Sequence, residues 1–251
     1  TDTSAHISHT FGGSAANIAS WAAFNGAEVS FVGCVNTQDV IRVKEQFASY
    51  GVRVNLQHNS LATGTLVSIV EGASRTMLTD RGANAALDFN DISESYLADF
   101  GFVFISGYSI FGRSITEVQS FISRIKSLGS KVLVDPGSVG FINDYGVSEF
   151  LAATNQTDVL LPNDEEFAAL GANYPTVIVT KGDAGVELFE NGELLESFPV
   201  EKLDALDPTG AGDSFSGAVL ATLAKGLDMR NAIAAGVKSA ALAVMTIGAR
   251  P

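Results

Sequence analysis

Cysteine is almost absent from this chain of 251 residues: Cys34 is the only one. No intrachain disulfide can form, so a reducing compartment, the cytoplasm, is the expected location. Cys34 lies in the apolar run Val29-Ser-Phe-Val-Gly-Cys-Val35 and reads as a packed thiol, not a nucleophile. Histidine is scarce as well. His6 and His9 flank a strand-like segment with no third ligand at metal spacing, which excludes a structural zinc site. Basic residues number 15 against 28 acidic ones, a formal net charge of −13. That balance excludes the basic footprint of a nucleic-acid binder. No apolar run reaches the roughly 18 residues that span a membrane, and no basic-then-apolar leader opens the chain. Neither a membrane partner nor secretion is expected. Two nucleotide-binding signatures are missing too. No Gly-Lys-Ser/Thr follows a glycine cluster, and Gly12-Gly13 lacks the Gly-x-Gly-x-x-Gly spacing of dinucleotide sites.

What remains is a hydrophobic content of 46% and a mean hydropathy of +0.23, suited to a well-packed globular enzyme. The length fits one α/β domain with a small appendage. Strand-like and helix-like segments alternate. Val29–Val35, Phe102–Ser106, Lys131–Asp135, Val159–Leu161, Thr176–Thr180 and Val186–Phe189 read as strands. Val40–Ser49, Ser114–Leu128, Asp213–Lys225 and Met229–Ile247 read as helices. Such alternation predicts a mostly parallel sheet with helices on both faces, binding ligands at the carboxyl ends of its strands. Ala5–Phe11 and the stretch from Val52 to Leu78 break the pattern. Within the latter, Thr63–Val70 and Ser74–Thr79 read as a hairpin. The expected division is an α/β body, 12–51 and 81–251, with a small β excursion, 1–11 and 52–80.

The most informative stretch is Asp207-Pro-Thr-Gly-Ala-Gly-Asp-Ser-Phe215. Its glycines precede an apolar run at helical spacing and so open a helix. A helix start offers unpaired N–H groups and the positive end of the helix dipole to a phosphate, which an acidic chain needs locally. Asp213, beside a bound phosphoryl group, could take a proton from an attacking hydroxyl; the simpler reading is that it caps the helix. Gly12-Gly-Ser-Ala-Ala-Asn17 is a second glycine-rich turn feeding a helix. Asn163 and Glu166 lie three residues apart at another helix start, where they could equally form an exposed acidic first turn.

Taken in order, Gly12-Gly13…Asn17, Asn163-Asp-Glu-Glu166, Thr180-Lys-Gly182 and the Asp207–Phe215 stretch resemble the motifs of the ribokinase-like (PfkB) carbohydrate kinases. The resemblance runs over nearly the whole chain, and its C-terminal motif is highly specific. It implies a ribokinase-like α/β fold with a β lid that often mediates homodimers. It also implies ATP-dependent phosphorylation of a small sugar. Asp213 would be the general base, and the backbone of Gly210, Ala211 and Gly212 the anion hole. Gly12, Gly13 and Asn17 would contact the sugar, with Arg81 after the hairpin as a second wall. Asn163, Thr180, Lys181 and Gly182 would serve ATP, and Glu166 would orient Mg²⁺ through water. Asp207 and Thr209, with Thr246-Ile-Gly-Ala249, resemble the potassium site of some members. Nucleoside or phosphosugar kinases share the fold, and a non-catalytic sugar- or nucleotide-binding regulator could use the same scaffold. Few basic residues lie in the lid segments, which disfavours a phosphosugar. The usual first strand with its sugar-binding Asp has no counterpart, a Gly near Asp39 is missing, and the Glu166–Thr176 connection is short. These departures are expected if segments of a longer protein are absent from the sequence.

Overall fold

The computed structural model describes residues 10–71 and 74–251. The strand expected at Ala5–Phe11 lies, up to residue 9, outside the described residues. In chain order the first half contains α1 (Ser14–Phe24), β1 (Ser30–Asn36), α2 (Val40–Ser49), β2 (Arg53–Asn59), β3 (Thr65–Glu71) and β4 (Ser74–Asp80). Then come α3 (Glu94–Leu97), β5 (Phe102–Ser106), α4 (Gly107–Ile110), α5 (Ile115–Ser127), β6 (Lys131–Asp135), α6 (Val139–Tyr145) and α7 (Val147–Ala153). The last part holds β7 (Val159–Leu160), α8 (Asp164–Leu170), β8 (Thr176–Thr180), β9 (Val186–Glu190), β10 (Glu193–Phe198), α9 (Ala211–Ala224) and α10 (Met229–Ala243).

The main sheet runs β10-β9-β8-β7-β6-β5, and its four strands from β5 to β8 are parallel. Parallel strands are covered on both faces, so they read as continuous β-branched and aromatic runs. Side chains still alternate between two cores. Val132, Val134, Val177 and Val179 pack on one side with Ile122, Ile125 and Phe150. Leu133 and Ile178 point to the other, against Phe215, Val219 and Ile233 of α9 and α10. β9 reverses direction because Gly182–Gly185 joins it to β8 by a tight turn, which only antiparallel strands allow. β10 closes the edge with an acidic strand, a composition that discourages pairing with another chain.

β1 pairs with β2 in parallel over their whole length, from Ser30↔Arg53 to Asn36↔Asn59, with α2 as the crossover. Sequence grouped β2 with the excursion 52–80. Among the described residues no ladder joins β1 to β5. Between them lies an apolar cavity of about 200 Å³, lined by Phe31, Phe102, Phe104, Ile105, Ala19 and Leu220. β3 and β4 form the expected antiparallel hairpin. Its Leu66, Val67, Ile69, Met77 and Leu78 are exposed. Among the described residues no helix is long and apolar enough to cross a membrane.

One helix contact sets up the site. α1 and α9 approach without a side chain between them at Gly217, where a Cβ would stand 2.7 Å from Trp21 Cβ and 2.8 Å from the Ala22 nitrogen. That approach brings Asn17 of α1 opposite Asp213 of α9.

Candidate active site

Gly210 precedes α9 in the left-handed conformation, φ 79° and ψ 5°, and no side chain from this N-cap bonds back to the helix. Glycine adopts that conformation without strain. A substitution would also collide with the C-terminal segment, since a Cβ here would lie 2.7 Å from Ala249 Cα and 2.8 Å from its oxygen. Gly212 sits one turn-step on, exposed, with nothing within 4 Å of where its Cβ would be. The helix therefore presents bare backbone and its positive dipole end outwards at the exposed Gly212.

Asp213 turns its carboxyl towards α1. Its Oδ2 accepts a hydrogen bond from Asn17 Nδ2 at 2.8 Å. Burial raises its pKa, while the hydrogen bonds from Asn17 and Ser14 and the charge of Arg250 pull it down. Asn17 is buried, and its Oδ1 accepts from Arg250 Nε at 2.9 Å, so both ends of the amide are engaged. Gly12 and Gly13 are exposed, and the Gly12 oxygen accepts from Arg250 Nη2 at 2.9 Å.

Asp135 ends β6 beside the Gly137 backbone N–H. Burial, then the neighbouring Glu166 and Asp213, push its pKa well above the carboxylate range. The same three carboxyls, with burial as the largest cause, push the Tyr108 hydroxyl up to about 12. Carboxyls from β6, α8 and α9 thus share one field at the carboxyl edge of the sheet, the ligand-binding edge of such folds. Among the described residues no three His, Cys, Asp or Glu side chains are arranged to hold a metal ion directly.

Asn163 and Glu166 form a capping box at α8. Asn163 Oδ1 accepts from the Glu166 N–H and Glu166 Oε2 from the Asn163 N–H, both at 2.9 Å. Glu166 is buried, not part of an exposed acidic turn, and burial raises its pKa. Asn163 bridges Thr180, so these two motifs meet. Lys181 pairs with Glu187 at 3.2 Å and Asp164 at 3.6 Å, and Gly182 turns at φ 56°. Asp207 Oδ1 accepts from the Thr209 N–H at 2.9 Å and Oγ1 at 2.5 Å, and Oδ2 accepts from the Gly248 N–H at 3.1 Å. These bonds tie the loop before α9 to the C-terminal segment. Arg81 lies past β4 and donates to the Tyr108 carbonyl at 3.0 Å.

Asp135, Tyr108 and Arg250 were not singled out from sequence as site residues. Asp135 had a signal, an acid ending an apolar strand at the ligand edge. Tyr108 and Arg250 had none, because only the fold brings them in. A raised carboxyl pKa in the folded state means that folding binds protons. Its stability contribution is fully present below the unfolded-state pKa and is lost as pH rises through the folded value. Asp135→Asn is therefore expected to stabilise the protein at neutral pH by on the order of 1 kcal/mol, or about 2–4 °C. Melting temperatures from pH 4 to 8 should show the gain growing with pH; a constant or shrinking gain contradicts the raised pKa.

A mostly parallel sheet with helices on both faces, and a glycine-rich helix start beside converging carboxyls at its edge, define a ribokinase-like α/β fold. The family model "pfkB family carbohydrate kinase" matches residues 1–251, and the chain belongs to that family. It is 25% identical over 260 residues to a ribokinase of Haemophilus influenzae, covering 96% of this chain and 83% of the relative. It is 27% identical to the bifunctional protein HldE of Escherichia coli, where the match covers 94% of this chain and 53% of HldE, about half its length. An Anopheles gambiae adenosine kinase solved with P1,P4-di(adenosine-5) tetraphosphate superposes with a TM-score of 0.85 at 25% identity, covering 96% of this chain and 82% of that one. A structure from E. coli described as a ribokinase II, with ATP and Mg²⁺, superposes at 0.81 with 23% identity, over 94% and 83% of the two chains.

Proposed function

We propose that the protein transfers the γ-phosphoryl group of ATP to a hydroxyl of a small sugar, a free monosaccharide or sugar acid. The observation that carries this is Asp213: a sunken carboxylate, held by Asn17, on the first turn of a helix whose start is bare glycine backbone. Asp213 takes the hydroxyl proton as the sugar oxygen bonds to the γ-phosphorus and the bond to the β-phosphate oxygen breaks, leaving ADP. Backbone N–H groups of Gly210, Ala211 and Gly212 stabilise the charge on the transferring group. The exposed backbone of Gly12 and Gly13, Asn17 beside Asp213, and Arg81 at the opposite edge serve the acceptor. Asn163, Thr180, Lys181 and Gly182 serve the nucleotide.

Glu166, a hard oxygen donor, would orient Mg²⁺ through water. Bound Mg²⁺ supplies charge neutralisation on the phosphate oxygens. Asp207 and Thr209, next to Gly248, are the proposed place for K⁺. The exposed apolar hairpin β3–β4 supports a homodimer formed through the lid.

ATP consumption measured over pentoses, hexoses, sugar acids, sugar phosphates and nucleosides tests the reading. Turnover is expected with at least one free monosaccharide or sugar acid. Turnover with nucleosides alone would install the second reading, a nucleoside kinase, which the adenosine kinases among the structural relatives favour. No ATP consumption with any acceptor would leave a binding regulator.

A further inference from the structure

We propose that Arg250 is a positioning residue for the phosphoryl transfer, turning the NH₂ of Asn17 towards Asp213 so that its carboxyl is held ionised. The proposal rests on Asp213 being the base. Three groups stand in line. Arg250 Nε donates to Asn17 Oδ1 at 2.9 Å, and Asn17 Nδ2 donates to Asp213 Oδ2 at 2.8 Å. An amide can present either end to a neighbour, but a guanidinium can only donate. Arg250 therefore forces the oxygen of Asn17 towards itself and the NH₂ towards Asp213. An NH₂ donor favours the carboxylate over the carboxylic acid, so the sense of the relay keeps Asp213 ready to accept a proton. The positive charge of Arg250 acts in the same direction.

Arg250 is itself held. Nη2 donates to the Gly12 oxygen at 2.9 Å, and the guanidinium lies over Phe47 at 5.4 Å and Phe11 at 6.0 Å. The preceding Ala249 oxygen accepts from Trp21 Nε1 at 3.0 Å. As structural cement the residue is poor, because among the described residues its buried Nη1 has no partner. Ser14 and Asn17 from α1 and Arg250 from the C-terminal segment act on Asp213, whose charge in turn reaches Tyr108 of α4 and Asp135 of β6, which also feel Glu166 of α8; Tyr50 faces Arg250 from the end of α2. Among these groups Arg250 is the cation that opposes the acids.

Arg250→Met removes donors and charge at similar length. The Asp213 carboxyl, followed by ¹³C NMR and assigned with Asp213→Asn, is expected to titrate at higher pH in Arg250→Met than in wild type. Arg250→Lys, which can still donate to Asn17, is expected to restore part of the difference. This readout needs no turnover, so it stands apart from the identity of the reaction. In the kinase assay kcat should fall about tenfold on the acid side and recover as pH rises, with KM for ATP unchanged. Should Arg250→Met fail to fold, Arg250→Gln, which lacks the charge and can offer Asn17 either end of its amide, is expected to show the same upward move. An Asp213 titration unmoved in a folded Arg250→Met or Arg250→Gln protein overturns the relay. So does a kcat loss that is equal at every pH.

Discussion

Asp213→Asn is expected to lower turnover by roughly 10²–10⁴-fold, the usual scale for losing a general base. The substitution keeps the size of the side chain, and an amide oxygen can still accept the hydrogen bond from Asn17. Stability should hold or rise slightly, because a half-buried carboxylate with a raised pKa is replaced by a neutral group. ATP binding should survive, since the Gly210–Gly212 backbone is untouched and one negative charge beside the γ-phosphate is gone. A residue serving only the helix start would give near-normal turnover, because Asn caps about as well as Asp. Single-turnover rates and ATP affinity on a protein of unchanged melting temperature separate these outcomes. A folded variant with near wild-type turnover would sink the mechanism.

A paired substitution in the glycine turn should lose activity by two different routes. Gly210→Ala places a Cβ within 3 Å of Ala249 and asks for φ of 79° from an ordinary residue. Either the helix start or the segment 248–250 must shift, so stability and turnover are both expected to fall. Losing one preorganised anion donor alone typically costs about 10²–10³-fold in kcat. Gly212→Ala meets no protein atom within 4 Å, and alanine is the better helix former by about 1 kcal/mol. Its melting temperature should hold or rise while turnover falls, because the added methyl enters the space assigned to the phosphate. Full activity in Gly212→Ala would remove the anion hole from that position.

The body of the fold could be read from sequence wherever burial fixed the pattern. Phe102–Ser106, Lys131–Asp135 and Thr176–Thr180 match their expected bounds, because strands covered on both faces leave an uninterrupted apolar signature. Val40–Ser49 matched because one face is apolar at helical spacing. β10 left little trace, since an exposed acidic edge strand looks like a loop, and α6 and α7 were hidden by the break at Gly146. α10 was expected to run to Ile247 but ends at Ala243. Beyond it the chain turns so that the Val244 oxygen accepts from the Leu206 and Asp207 N–H groups. In the site, glycine-rich helix starts carry their chemistry locally and were legible. That Asn163 and Glu166 form a capping box was implicit in their spacing, but the raised pKa of Glu166 depends on tertiary burial. The Arg250–Asn17–Asp213 line had no local signal at all.

The contacts that complete the site join residues at opposite ends of the chain: Asn17 with Asp213, Trp21 with Ala249, and Gly12 with Arg250, 238 positions apart. The ladders of the parallel strands β5 to β8 include none of these residues. Closing so long a loop costs entropy that only the final contacts return, which places them late in folding. Refolding followed by far-ultraviolet circular dichroism should therefore run ahead of refolding followed by Trp21 fluorescence, and catalytic competence should arrive with the tryptophan. In a cell the same order means that a nascent chain can hold most of its sheet before it can touch ATP productively.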